Sequence, residues 1–137
     1  MTLSTLTLPL QPSSAASLRA WLRPLLAEDG VPERATEEIT LAAEEALNGA
    51  ILHGELRGAD ITVTLSTVAR DVYLTVSDDA ERRSAETLAA ADEAAEAQAF
   101  GSALLGRLMD EVTLRSSAEG TIILLVKHLG GSATGAA

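Results

Sequence analysis

The chain has 137 residues, 47% of them apolar, and no break in composition long enough for a linker, so one domain with a substantial core is expected. Twenty acidic against ten basic residues give a formal charge of -10, which repels nucleic-acid phosphates and anionic lipid head groups. There is no cysteine and no apolar run near the ~20 residues of a membrane span. We therefore expect a cytoplasmic protein that binds neither nucleic acid nor membrane.

The chain is predicted to begin with a strand and a helix. Leucines alternate loosely with Thr and Pro over residues 3–10, which indicates a strand, and Pro9 favours an edge position in the sheet. A helix capped by Ser13 or Ser14 follows. Pro24 is expected to kink this helix or to end it early, because proline removes a backbone donor and clashes with the preceding turn.

A second helix is the most informative element of the sequence. Asp29-Gly30 ends the first helix, and the second is predicted over residues 32–54, opened by a proline and acidic side chains. At about 100° per residue, Glu45 lies between Leu41 and Leu52 on the helical wheel. A separate stripe is predicted to face the core: Ile39, Ala43, Leu47 and Ala50. A carboxylate placed between apolar residues suggests a functional role.

The second half of the chain is predicted to form two strand pairs separated by helices. Residues 61–65 and 72–76 alternate with period two and are joined by a short turn at residues 69–71, as in an antiparallel hairpin. Residues 84–98, rich in Ala and Glu, are expected to form a loosely docked helix with the lowest stability in the chain. A further helix over residues 101–109 precedes the second strand pair.

This second pair comprises residues 111–114 and 121–129. Strands grouped at the middle and the end, with helices between them, predict an α+β two-layer sandwich in which helices cover one face of a mixed, mostly antiparallel sheet. We expect a single domain over residues 1–129 and a disordered tail over residues 130–137.

Three segments carry a resemblance to a known family. The run Ile39-x-Leu41-x-x-x-Glu45-Ala46-x-x-Gly49-Ala50-x-x-His53-Gly54 resembles the N-box helix of the Bergerat-fold, histidine-kinase-like ATPases, specifically the small bacterial anti-sigma factor serine kinases. Residues 76–80 resemble the first glycine box of that family. Residues 99–112 resemble its second glycine box with the helix and strand that follow.

The resemblance gives the N-box residues separate tasks. Glu45 is implied to be the general base that takes a proton from a partner's serine hydroxyl near the terminal phosphate; the alternative is a partly exposed glutamate beside Glu44. Where the family has a magnesium-binding asparagine one turn later, this chain has Gly49, which offers no side-chain oxygen. Asn48 is the displaced candidate for the metal, about 100° away around the helix. Only a rotated helix would present Glu44 and Asn48 as an i, i+4 pair instead.

The first glycine box implies a contact to the base of the nucleotide. Asp78 directly follows a strand, where its carboxylate can accept a hydrogen bond from the adenine amino group; the alternative is an ordinary aspartate at a strand end. The glycines that the family places after it are replaced by Ala80 and Arg82, whose side chains intrude where backbone approaches the ligand.

The second glycine box implies a phosphate site at a helix N-terminus. Gly101 presents backbone amides there and Ser102 adds a hydroxyl, but both also suit a plain helix start. Ala99 replaces the partner glycine. His53 borders the nucleotide pocket or packs at the end of its helix.

The resemblance implies a serine/threonine-protein kinase that binds ATP and Mg²⁺, sequesters a sigma factor and phosphorylates an anti-sigma factor antagonist, as a homodimer in bacterial stress-response transcription. The alternative is a binding module of the same fold, in which partner capture persists and nucleotide binding is weak or lost. The missing N-box asparagine and box glycines predict weak or absent kinase activity. A third interpretation is an unrelated α+β fold without a nucleotide pocket.

Overall fold

A five-stranded sheet with three helices makes up the part of the chain that the structure, a computed structural model, describes: residues 2–52, 56, 59–78, 103–117 and 120–130. The elements follow in the order β1 (Thr2–Pro9), α1 (Ser14–Glu28), α2 (Glu33–Leu52), β2 (Asp60–Val68), β3 (Asp71–Asp78), α3 (Ala103–Leu108), β4 (Glu111–Ser117) and β5 (Gly120–His128). The predicted α+β class is confirmed.

The strand order in the sheet is β1-β2-β3-β5-β4, and each neighbouring pair is antiparallel. β1 occupies one edge, as Pro9 predicted, because a residue without a backbone donor is tolerated there. β2 and β3 form the predicted hairpin, with Ala69 at φ 59° in the turn between them. The sheet was predicted to be mixed and mostly antiparallel, and every strand pair that the structure describes is antiparallel.

The helices cover one face of the sheet. Alternate residues of the three central strands point to this face and are buried, because successive side chains of a strand point to opposite sides. α1 adds a buried row with helical i, i+4 spacing, and α2 buries the predicted stripe. Among the described residues, the fully buried apolar side chains are Leu18, Leu22, Leu26, Ile39, Ala42, Ala43, Ala46, Leu47, Ala50, Ile61, Val63, Leu65, Val72, Leu74, Val76, Leu105, Ile123 and Leu125. They belong to one core.

Of the two effects expected of Pro24, a kink in α1 or an early end, the early end is wrong. The helix continues to Glu28 and ends at Asp29, and Gly30 then turns the chain with φ +81°. Pro24 is exposed, so the carbonyl that loses its intrahelical donor can face water. At the other end Ser13 occupies the N-cap position without a side-chain cap bond, while Ser14 donates its hydroxyl to the Pro9 carbonyl over 2.6 Å.

Several predictions fall outside the described residues. These are the helix over residues 84–98, the end of α2 at residues 53–54, the first residues of the helix predicted from 101, and the tail beyond residue 130. Among the helices that the structure does describe, none combines the length and apolar character needed to cross a membrane.

Candidate functional site

One face of α2 carries the predicted N-box residues. Glu45 and Gly49 are one turn apart on the regular helix, and both are partly buried. Their neighbours on the helical wheel lie outside the core, since Leu41 is 45% exposed and Leu52 is 78% exposed. Glu45 therefore lies at the edge of the buried face, where its carboxylate avoids the free-energy cost of full burial.

The displaced candidates face other directions. Asn48 is exposed, and Glu44 places its Oε2 atom 2.8 Å from Arg19 Nη1 on α1. A rotated helix that presents Glu44 and Asn48 together would have to withdraw Ile39 and Leu47 from the core. Burial of each such side chain stabilises the fold by about 1.5–3 kcal/mol, so the register with Glu45 and Gly49 on one face is strongly preferred.

Gly49 has no packing requirement for glycine. A Cβ atom placed on it meets no atom within 4 Å among the described residues, and its backbone lies in a regular helix. Glycine in a helix interior costs roughly 1 kcal/mol relative to alanine. Within the described residues, therefore, a Cβ atom is accommodated at this position, where the resemblance leads one to expect an asparagine.

A buried polar pair lies at the ends of β3 and β5. Asp78 is 3% exposed, and its Oδ1 atom accepts a hydrogen bond from the Thr121 backbone N–H over 3.4 Å. Thr121 is itself 4% exposed. A buried carboxylate is tolerated only where hydrogen bonds compensate its lost hydration, so this bond helps to hold the Asp78 acceptor in place. The two side chains form the polar end of an otherwise apolar layer.

Thr121 was not identified from the sequence, although a signal for it exists. It shares the inward face of β5 with Ile123 and Leu125, because these residues are two apart along the strand. A hydroxyl in an otherwise apolar, alternating run marks a polar group that points into the core. Its partner Asp78 comes from a different strand, so the pair becomes visible only once the sheet order is known.

The structure does not describe the remaining predicted site residues. His53, Gly101 and Ser102 lie outside the described residues. Within the described ranges no group of three or more His, Cys, Asp or Glu side chains is arranged to hold a metal ion.

A groove of about 280 Å³ lies between the three helices, away from the polar pair. Two ion pairs cross it from α1 to α2, Arg19 to Glu44 at 2.8 Å and Arg23 to Glu37 at 3.0 Å. The hydrogen bond that Arg23 donates to the Glu37 carboxylate raises the pKa of the Arg23 guanidinium. The groove is lined by Arg19, Arg23, Glu37, Glu38, Thr40, Leu41, Glu44 and Leu108. With three carboxylates against two guanidinium groups it has no surplus positive charge for phosphates, and we do not assign the nucleotide to it.

Comparison with known proteins places this geometry in context. Residues 8–127 match the family model of the histidine kinase-like ATPase domain. An anti-sigma F factor of Bacillus velezensis is 34% identical over 103 residues, which cover 69% of this chain and 70% of that protein.

A solved structure of the RsbU and RsbW domains of a Mycobacterium tuberculosis protein superposes with a TM-score of 0.70 at 24% identity. The match covers 94% of this chain and 32% of that longer one. At this level of identity it shows a common fold.

Proposed function

The chain belongs to the histidine kinase-like ATPase domain family, and on this premise we propose that it is an anti-sigma-factor regulator that binds ATP. The resemblance noted in the sequence is thereby confirmed, and an unrelated fold is excluded. The relative named an anti-sigma F factor supports a role in which the domain captures a sigma factor, an anti-sigma factor antagonist, or both. A degenerate module that has lost nucleotide binding is not favoured, because the matched family is one of ATPase domains and the match spans Glu45 and Asp78.

The observation that carries the nucleotide proposal is the buried pair of Asp78 and Thr121. Asp78 is the last residue of β3, and its side chain points to the buried face of the sheet. It is almost completely shielded from water, and its carboxylate accepts a hydrogen bond from the Thr121 N–H. An acceptor of this kind pairs with an exocyclic amino group such as that of adenine, and its hydrogen bond is stronger because one partner is charged.

The phosphoryl-transfer role is proposed for Glu45. Its carboxylate lies on the face of α2 that is partly open, so a hydroxyl group of a partner protein can approach it. A general base must lie within hydrogen-bond reach of the proton that it abstracts. In this proposal Gly101, Ser102 and His53 complete the phosphate side of the pocket.

The magnesium ion that the family implies does not fit the described residues at the asparagine position of α2. Gly49 has no side-chain oxygen, Asn48 is exposed on another side of the helix, and Glu44 is paired with Arg19. A hard cation such as Mg²⁺ needs oxygen ligands in near-octahedral geometry. We therefore assign no step of the reaction to a metal held by α2.

The proposed setting is the bacterial cytoplasm, with protein partners rather than nucleic acid or membrane. The sheet face opposite the helices carries Ile122 and Leu124, which are only partly buried, and Tyr73, which is 36% exposed. We propose that this face and the surface near α1 serve homodimer formation and partner capture. The formal charge of -10 favours partners with a basic surface.

Titration calorimetry with ATP tests the proposal. Replacing Asp78 with Asn keeps the shape but exchanges one acceptor oxygen for a donor and removes the charge. A hydrogen bond to a charged group contributes about 1.5–3 kcal/mol, so the dissociation constant should rise about tenfold or more. Asp71→Asn, at the opposite end of the same strand, is the matched control and should leave ATP affinity unchanged. Equal ATP affinities of the wild type and Asp78→Asn would contradict the proposed base contact.

A further inference from the structure

We infer that nucleotide binding by this domain is independent of a magnesium ion held by α2. The inference rests on the proposed nucleotide function and concerns the phosphate end of the same site. The family's metal ligand is expected in the turn of α2 that follows Glu45.

The metal ligand is missing because a glycine stands at its position, and not because α2 is distorted there. α2 is continuous from Glu33 to Leu52, so Gly49 occupies an ordinary helical position one turn after Glu45. No side-chain oxygen exists there. Crowding does not explain the glycine, since no atom of the described residues lies within 4 Å of a Cβ at this position, and its φ is not in the left-handed region that requires glycine.

The neighbouring oxygens do not substitute for it. Asn48 is exposed, and it lies about 100° around the helix from Gly49. The Glu44 carboxylate forms an ion pair with Arg19 of α1, with 2.8 Å between Oε2 and Nη1. The buried positions of Ile39 and Leu47 fix the rotation of the helix, so neither oxygen can move to the Gly49 side without exposing the core.

The consequence is a site with a base-binding end on the sheet and no side-chain oxygen at the α2 position where the family has its metal-binding asparagine. Asp78 and Thr121 lie on the sheet and do not depend on the ion. ATP that carries Mg²⁺ and ATP that does not should therefore bind with similar affinity, since the protein adds no α2 contact to the ion.

Titration calorimetry of the full chain with ATP, in excess Mg²⁺ and in excess EDTA, tests this. We expect dissociation constants within threefold of each other for the wild type. Gly49→Asn should bind Mg-ATP at least tenfold more tightly than ATP in EDTA, because the new amide oxygen lies one turn from Glu45. Circular dichroism establishes that each variant is folded.

Two matched variants separate the metal effect from helix stabilisation. Gly49→Ala improves the helix without supplying an oxygen, and Gly106→Asn makes the same exchange in α3, where a Cβ also meets no described atom within 4 Å. Both should behave as the wild type does.

Wild-type ATP affinity that falls tenfold or more in EDTA would overturn the inference while leaving the proposed nucleotide function intact. The inference also fails if Gly49→Asn shows no preference for Mg-ATP. ATP binding that is absent from the wild type and from Gly49→Asn in both buffers would instead overturn the proposed nucleotide function and the inference together.

Discussion

Replacing Gly49 with Ala should stabilise the fold by about 1 kcal/mol. The position is helical and partly buried, and no described atom lies within 4 Å of a new Cβ, so alanine meets no clash there. Alanine is favoured over glycine by about 1 kcal/mol in a helix interior, mainly because it restricts the unfolded chain. For a domain of this size, such a gain raises the midpoint of thermal unfolding by about 3 °C.

Equilibrium unfolding in urea measures this change as a shift of the midpoint at constant slope. Gly30→Ala is the matched control in a different backbone state: Gly30 has φ +81°, which an alanine rarely adopts, so that variant should lose stability. A Gly49→Ala variant as unstable as Gly30→Ala would contradict this prediction. Such a result would mean that other atoms fill the space beside Gly49 or that its backbone is not helical. An open position for a metal ligand at Gly49 would then be contradicted as well.

Two further perturbations test the core and the strand ends. Leu22→Ala, at a fully buried position of α1, should destabilise the fold by about 2–5 kcal/mol in the same urea assay, whereas Leu3→Ala at a 67% exposed position should have little effect. The hydrogen bond with Asp71 raises the pKa of the exposed His128, which places Nδ1 2.8 Å from Oδ1 of that carboxylate. The folded-state pKa of His128 lies above the unfolded value of about 6.5. The interaction of His128 with Asp71 therefore stabilises the fold fully below a pH of about 6.5, and this stabilisation is lost as the pH rises through the folded-state pKa. An NMR titration of His128 should show this raised pKa and its decrease in Asp71→Asn; the same pKa in both proteins would contradict the assignment.

The sequence predicts most of the fold because the signals concerned are local. Alternation over residues 61–65 and 72–76 identifies two strands, and a short turn leaves an antiparallel hairpin as the simple connection. The stripe from Ile39 to Ala50 likewise follows from the period of the helix alone. Such patterns need no knowledge of distant neighbours.

The features that the sequence does not reveal depend on what packs nearby. Pro24 is compatible with a continuous helix because its face is exposed, and exposure is a property of the tertiary fold. Leu41 and Leu52 flank Glu45 on the wheel as predicted, but both are exposed, since α2 meets its neighbours through other sides. Helical periodicity gives angles around an axis and does not reveal which angle a second helix will cover.

The two ends of the proposed nucleotide site rest on different parts of the fold, and this separation has a functional consequence. The base-binding end belongs to the sheet, where Asp78 and Thr121 are buried at the ends of two strands and are constrained by the core. The metal position belongs to α2, where no described atom lies within 4 Å of a Cβ placed on Gly49. Replacing Gly49 with alanine therefore creates no clash with the described residues, whereas removal of Asp78 leaves the Thr121 N–H without this carboxylate acceptor. Nucleotide recognition and metal-dependent phosphoryl transfer can consequently be lost one without the other, and in this chain the metal ligand is the part that is missing.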